Sequence, residues 1–179
     1  MFKAYWEKGI SFNAYVDTIK QKKEFSEKHL LSHQRIHHAL ENYGPSTDQQ
    51  QHLQKKNFSG KILIIAEGWC GDCNQAIPVI HKSFGTQNSV KILYRDENPD
   101  LMQQFLTNGN MAIPIVIFLN DQNRPVFHWG PRPKHGIEIL SKHKNNNENF
   151  SKELFLSELH AYYESNKGND IIDEIISLL

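Results

Sequence analysis

Cys70 and Cys73 are the only cysteines among 179 residues, and they stand three apart in Trp69-Cys70-Gly71-Asp72-Cys73. At that spacing one sulfur can attack a disulfide as a thiolate while the other displaces the mixed disulfide that results. An apolar, β-branched run (Ile62-Leu63-Ile64-Ile65-Ala66) leads into the pair, and a helix-forming segment follows it. At a helix start, Cys70 is expected beside unpaired backbone N–H groups and the positive end of the helix dipole, both of which lower a thiol pKa. Cys73, one turn further in, is expected to be more buried and more fully protonated. The competing chemistry is metal binding, because one Cys-x-x-Cys is half of a four-ligand zinc site. No second pair exists, so zinc would need two histidines or another chain, and redox chemistry is the preferred reading.

Charge and length narrow the partners. Lys plus Arg and Asp plus Glu both number 20, so nothing points to a nucleic acid or a membrane surface. No apolar run approaches a membrane span, and Met1-Phe-Lys-Ala-Tyr-Trp-Glu-Lys does not read as a signal peptide. A cytoplasmic location is expected, where a vicinal cysteine pair stays reduced. His33 and His37 have the i, i+4 spacing that metal sites use, with His38 adjacent. No third ligand is evident, so a polar helix face is expected and no metal site.

The elements that must position the cysteines follow from periodicity. The first sixty residues read as polar helices: Phe12, Tyr15, Val16 and Ile19 share one face, and Leu30, Leu31, Ile36 and Leu40 mark a second helix. Thr47-Asp48-Gln49-Gln50 has capping-box spacing for a third helix through about Lys56. Buried strands are expected at Ile62–Ala66, Val90–Tyr94 and Ile113–Leu119, with Val126–Trp129 returning as a hairpin partner. Helices are expected at Asn74–Phe84, from Asn98-Pro99 with Asn98 as cap, at Gly136–His143, at Ser151–Glu164 with Leu154, Phe155, Leu159 and Tyr162 inward, and at Asp170–Leu179. Lys144–Asn149 reads as an Asn-rich linker with Phe150 just beyond it. The class is α/β, a mixed sheet flanked by helices. The expected division is an N-terminal helical extension over 1–58, packed on a core domain over 59–179.

From about Lys61 to Gly130 the chain resembles the thioredoxin superfamily. Trp69 precedes the first cysteine, Pro78 lies five residues after Cys73, and Ile113-Pro114 stands about forty residues beyond the pair. Tyr94-Arg-Asp96-Glu-Asn98-Pro99 resembles the family's Asp-x-Asn-Pro, and Gly130 falls where the family has a glycine after its last strand. The segments Glu67-Gly-Trp-Cys-Gly-Asp-Cys73 and Trp129-Gly-Pro-Arg-Pro133 look like a bacterial thioredoxin-like subgroup. The resemblance implies a thioredoxin fold with extra helices and a disulfide-reducing enzyme in which Cys70 attacks and Cys73 resolves. It implies a cis Pro114, a substrate surface formed by Trp69, Gly71, Asp72, Ile113 and Pro114, and no cofactor beyond a redox-active Cys70–Cys73 disulfide. Expected partners are disulfide-bearing proteins or low-molecular-weight thiols and an unidentified electron donor, with a monomer favoured over a dimer. A non-catalytic adaptor holding partners in the cis-proline groove is the alternative.

Four positions depart from the family pattern or modulate it. Asp72 replaces the usual proline; its charge opposes the Cys70 thiolate and pushes the pair toward a reductant, unless a cation neutralises it or solvent screens it. Ile64 stands where the family has a buried Asp. Glu67 is a candidate substitute for proton transfer, against the plainer reading of a solvent-facing strand end. Arg132, in the loop after the last strand, is a candidate partner for Asp72 or for an anionic thiol, against a solvated loop arginine.

Overall fold

The two most apolar runs of the chain pair with each other. In the computed structural model, which describes residues 2–21, 27–145 and 151–179, β1 (Lys61–Ala66) is central. It runs parallel to β2 (Ser89–Tyr94) on one side and antiparallel to β3 (Ile115–Leu119) on the other, with Ile64 opposite both Ile92 and Val116. The second edge strand, β4 (Pro125–Trp129), is antiparallel to β3, which gives the order β2-β1-β3-β4. Every residue of β3, and every residue of β1 after Lys61, is buried, as strands covered on both faces require. Most of β4 is exposed, and its proline opens the strand at the sheet edge, where a missing N–H is tolerated.

Helix α5 (Gly71–Phe84) carries the chain from β1 to β2 and is buried along most of its length, with Pro78 inside it. A short α6 (Pro99–Met102) and a single 3₁₀ turn (Gln103–Phe105) lead toward β3. The remaining helices wrap this centre: α1 (Phe2–Lys8), α2 (Phe12–Gln21), α3 (Glu27–Asn42) and α4 (Thr47–Lys56) before the sheet, and α7 (Lys134–Asn145), α8 (Lys152–Asn166) and α9 (Asn169–Leu178) after it. They share one core with the sheet. Tyr15, Ile19 and Ile36 from the N-terminal helices and Ile171, Ile172 and Ile175 from α9 belong to the same buried cluster as β1 and β3. Two backbone hydrogen bonds between Ile10 and Ile92 (2.9 and 2.8 Å) lay the N-terminal segment along the outer edge of β2. Such a contact shields an otherwise open strand edge. Gln49 of α4 donates to Asn169 O and Asp173 Oδ1 (3.1 and 2.7 Å), joining the last helix before the sheet to the last helix of the chain.

Several expected details differ. The capping box is Ser46–Gln49, one residue earlier than Thr47-based spacing suggests: Ser46 Oγ accepts from Gln49 N and Gln49 Oε1 accepts from Ser46 N. The mixed helical spacing of Leu30 and Leu31 is resolved by exposing both, while Ser32, Ile36 and Ala39 face inward. On α8 the inward stripe is Phe155, Leu159 and Tyr163 at i, i+4, i+8, so Leu154 points out. Asn98 begins α6 but does not cap it with its side chain, which donates to Tyr94 O instead. β3 starts at Ile115 rather than Ile113, and α7 extends through Lys144 and Asn145; the rest of the expected linker, and Phe150, lie outside the described residues.

Candidate active site

The strand-to-helix turn after β1 delivers both sulfurs. Cys70 is the N-cap of α5, in extended conformation, and Cys73 sits inside the first turn. The free Cys70 thiol is 8 % exposed and lies 3.5 Å from Ile113 O, whereas Cys73 is fully buried. The Cys70 pKa is lowered from its ordinary value, chiefly by the hydrogen bond from the Cys73 thiol. Backbone N–H groups of Cys73 and Asp72 add to this, against burial and the Asp72 charge. Burial pushes the Cys73 thiol well up, and its bond to Cys70 pushes it further. Of the two sulfurs, Cys70 is therefore the more readily ionised and Cys73 the one that holds its proton more firmly.

The surroundings are built from distant segments. The Ile113–Pro114 peptide bond is cis, and so is Gly130–Pro131. Gly130 has φ +121°, and a Cβ there would lie 2.1 Å from Pro114 O, so only glycine lets the chain leaving β4 pass this close to Pro114. Gly68 is crossed by α2: a Cβ there would meet Ile19 at 2.8 Å, which ties the N-terminal helices to the cysteine turn. Trp69 is 46 % exposed with the Arg95 guanidinium over its ring, 5.0 Å from the centroid.

Asp72 is 6 % exposed and fully engaged. Arg132 Nη2 lies 2.7 Å from one carboxylate oxygen, and Tyr163 Oη donates to the other at 2.7 Å. Of the readings open for Asp72, neutralisation by a cation is the one this geometry contains. Burial of the Arg132 guanidinium works against its charge, but the adjacent carboxylate outweighs it and the pKa is raised. Glu67 is buried, not solvent-facing. Its carboxylate accepts from Asp96 N (3.0 Å), while its backbone serves the site: Glu67 O accepts from Cys70 N and Tyr15 Oη, and its N–H favours the Cys73 thiolate. Ile64 is fully buried in mid-strand.

Three contributors escaped the sequence reading. Tyr163 was readable from the i, i+4 stripe of α8, which selects it over Tyr162. Arg35 and His160 had no local signal. Arg35 Nη1 lies 3.4 Å, and His160 Cε1 3.8 Å, from where a Cβ on Gly71 would sit, and Arg35 Nη2 donates to His160 Nε2 (2.6 Å). His33 and His37 contact each other on an exposed face (3.1 Å), and no group of three metal-ligating side chains occurs among the described residues.

A family profile described as Thioredoxin matches residues 10–148, and the chain belongs to that family. No curated protein matches it. Among solved structures it is similar to a protein of unknown function from Pseudomonas aeruginosa, with a TM-score of 0.65 at 17% identity over 95% of this chain and 91% of that one. An HIV epitope-scaffold is similar to the same degree, TM-score 0.65 at 17% identity, over 95% and 92% of the two chains. At such identity the likeness is one of fold.

Proposed function

We propose that the protein is a thiol–disulfide oxidoreductase that reduces disulfides through Cys70 and Cys73. The observation that carries this reading is the asymmetry of the two sulfurs: Cys70 at the helix N-cap with a lowered pKa, Cys73 buried behind it with a raised one. The Cys70 thiolate attacks a substrate disulfide, one S–S bond forms as another breaks, and the leaving sulfur takes the Cys73 proton. The Cys73 thiolate then attacks Cys70 Sγ and releases the second substrate sulfur as a thiolate, which takes a proton from solvent. The dithiol loses two electrons and the substrate gains them. Trp69 and the Ile113–Pro114 edge form the docking surface for an extended substrate segment, with Gly71 and Asp72 beside the sulfurs. Asp72, Arg132 and Tyr163 set the electrostatics behind them, and no cofactor takes part. The working place is a reducing compartment such as the cytosol. Among the described residues, no helix is long and apolar enough to cross a membrane.

Insulin reduction driven by dithiothreitol tests this. The wild type accelerates precipitation of the insulin B chain and Cys70→Ser does not; equal rates would leave the fold as a binding scaffold without this chemistry.

A further inference from the structure

Arg95 follows β2 directly, and its backbone N–H donates to Ala66 O at the end of β1 (3.0 Å). Its root is thus fixed to the end of the sheet that launches the cysteine turn. The side chain is 19% exposed and reaches three other groups. The guanidinium carbon lies over the Trp69 ring, 5.0 Å from the centroid. Nη1 donates to Met111 O (3.2 Å), and Nε donates to Asp96 Oδ1 (2.8 Å), from which Nη2 is also 2.8 Å. Asp96 is itself held, because its backbone N–H donates to the carboxylate of Glu67 (3.0 Å), two residues before Trp69.

A surface arginine beside an aspartate is ordinarily worth little, since water screens the pair and both side chains lose freedom. Here the guanidinium also joins the two segments that flank Cys70. Trp69 adjoins Cys70 on the cysteine turn, and Met111 stands two residues before Ile113, whose carbonyl lies 3.5 Å from Cys70 Sγ. Neither bank is part of a helix or strand: Trp69 lies between β1 and α5, and Met111 between the Thr107–Asn110 turn and β3. Both present exposed apolar side chains, Trp69 at 46% and Met111 at 41%. An indole that must be ordered when a partner docks costs affinity, and a planar guanidinium stacked on it removes that cost beforehand. All three guanidinium nitrogens have protein partners, which makes Arg95 a strut between the banks rather than a receptor for a substrate anion.

We infer that Arg95 is a positioning residue for polypeptide substrates: it braces Trp69 against the loop before Pro114, so that both banks are in place when an extended disulfide-bearing segment docks. This rests on the disulfide-reductase reading and adds to it the residue that favours a polypeptide over a small disulfide. A compact disulfide reaches Cys70 without spanning both banks and gains little from the brace. Arg95 touches no reacting atom. It acts on docking through Trp69 and Met111 and leaves the sulfur chemistry to Cys70 and Cys73.

The test compares two disulfides of different size. The pre-reduced full-length protein is mixed with excess insulin or with excess bis(2-hydroxyethyl) disulfide, and the protein thiols that remain are counted after acid quenching. Arg95→Met keeps much of the side-chain length but loses the charge and the N–H donors. Its second-order rate constant for insulin is expected to fall about tenfold, the scale of one cation–ring contact together with one hydrogen bond. The constant for bis(2-hydroxyethyl) disulfide is expected to change by less than about twofold, the pattern of lost docking rather than lost chemistry. With 5-fluorotryptophan incorporated, the ¹⁹F resonance of Trp69, assigned by its absence in Trp69→Phe, is expected to shift in Arg95→Met while those of Trp6 and Trp129 stay. Arg95→Lys keeps a cation without the planar fork; it is expected to fall between the two and decides the matter if Arg95→Met does not fold. Rate constants that fall together for both disulfides, or an insulin rate constant that the folded variants leave unchanged, overturn the proposal and leave the reductase reading standing. A wild type that loses no thiols to either disulfide overturns that reading and this proposal with it, so the two failures are distinguishable.

Discussion

Arg132→Met strips the adjacent cation from Asp72 and leaves a carboxylate whose side chain is 7% exposed, two residues from Cys70. Two effects follow from one 2.7 Å ion pair. Breaking a buried pair from one side costs about 3–5 kcal/mol, because the remaining charge loses its partner without regaining water. The Tyr163 hydrogen bond stays and the exposed edge of Arg132 admits some solvent, so the lower end of that range is expected. The second effect falls on Cys70. Asp72 already raises its pKa, and with the adjacent guanidinium gone that influence is opposed less, Arg35 remaining the more distant cation. Charges within about 4–6 Å move a pKa by about 1–3 units, and Arg132 acts across Asp72, so a rise of about one unit is expected. The sign is definite: less positive charge disfavours the thiolate, and the midpoint moves to higher pH. The pH dependence of Cys70 alkylation by iodoacetamide reads the second effect, and urea denaturation reads the first. Arg132→Met combined with Asp72→Asn removes both charges and should return the alkylation midpoint and most of the lost stability. An unmoved midpoint in the single variant, or a double variant no better than the single, would refute the assigned coupling.

Alkylation of the native wild type at neutral pH should modify Cys70 alone, with Cys73 reacting only after denaturation, as peptide mapping would reveal. Cys73→Ala, which removes the donor that most favours the Cys70 thiolate, should move the Cys70 midpoint upward toward the ordinary thiol value near 9. Tyr163→Phe deletes one hydrogen bond to a buried carboxylate and should cost about 1.5–3 kcal/mol in urea denaturation, with little change in fold by circular dichroism. Gly130→Ala places a methyl group against Pro114 O at a positive φ; a drop in melting temperature larger than that of Tyr163→Phe is expected, the backbone term alone being about 1–3 kcal/mol.

Much of this arrangement was legible in the chain because it is written locally. The run Ile62–Ala66 can hardly be anything but a buried strand, and Cys-x-x-Cys directly after it fixes both sulfurs at the start of the next helix. Contacts between distant segments were legible only in part. Arg132 was a candidate partner for Asp72 because its loop borders the site in folds of this kind. Nothing in the sequence links Arg35, on α3, or His160, on α8, to a glycine on α5; that link depends on how three helices pack. Glu67 shows the limit from the other side. Its place at a strand end suggests solvent, yet the turn that follows, closed by Cys70 N on Glu67 O, folds the side chain inward to the Asp96 amide. The inward face of α8 was misjudged by one residue at Tyr162 and Tyr163, where two adjacent tyrosines leave periodicity to decide and Leu154 pulls the phase the wrong way.

The division of labour between the two sulfurs is tested most directly by trapping. Cys73→Ser, with no resolving thiol, should accumulate a mixed disulfide when mixed with insulin under non-reducing conditions. Peptide mass spectrometry should place the link on Cys70, and Cys70→Ser should form none. A Cys73→Ser protein that gathers no adduct, or a Cys70→Ser protein that gathers as much, would contradict the account.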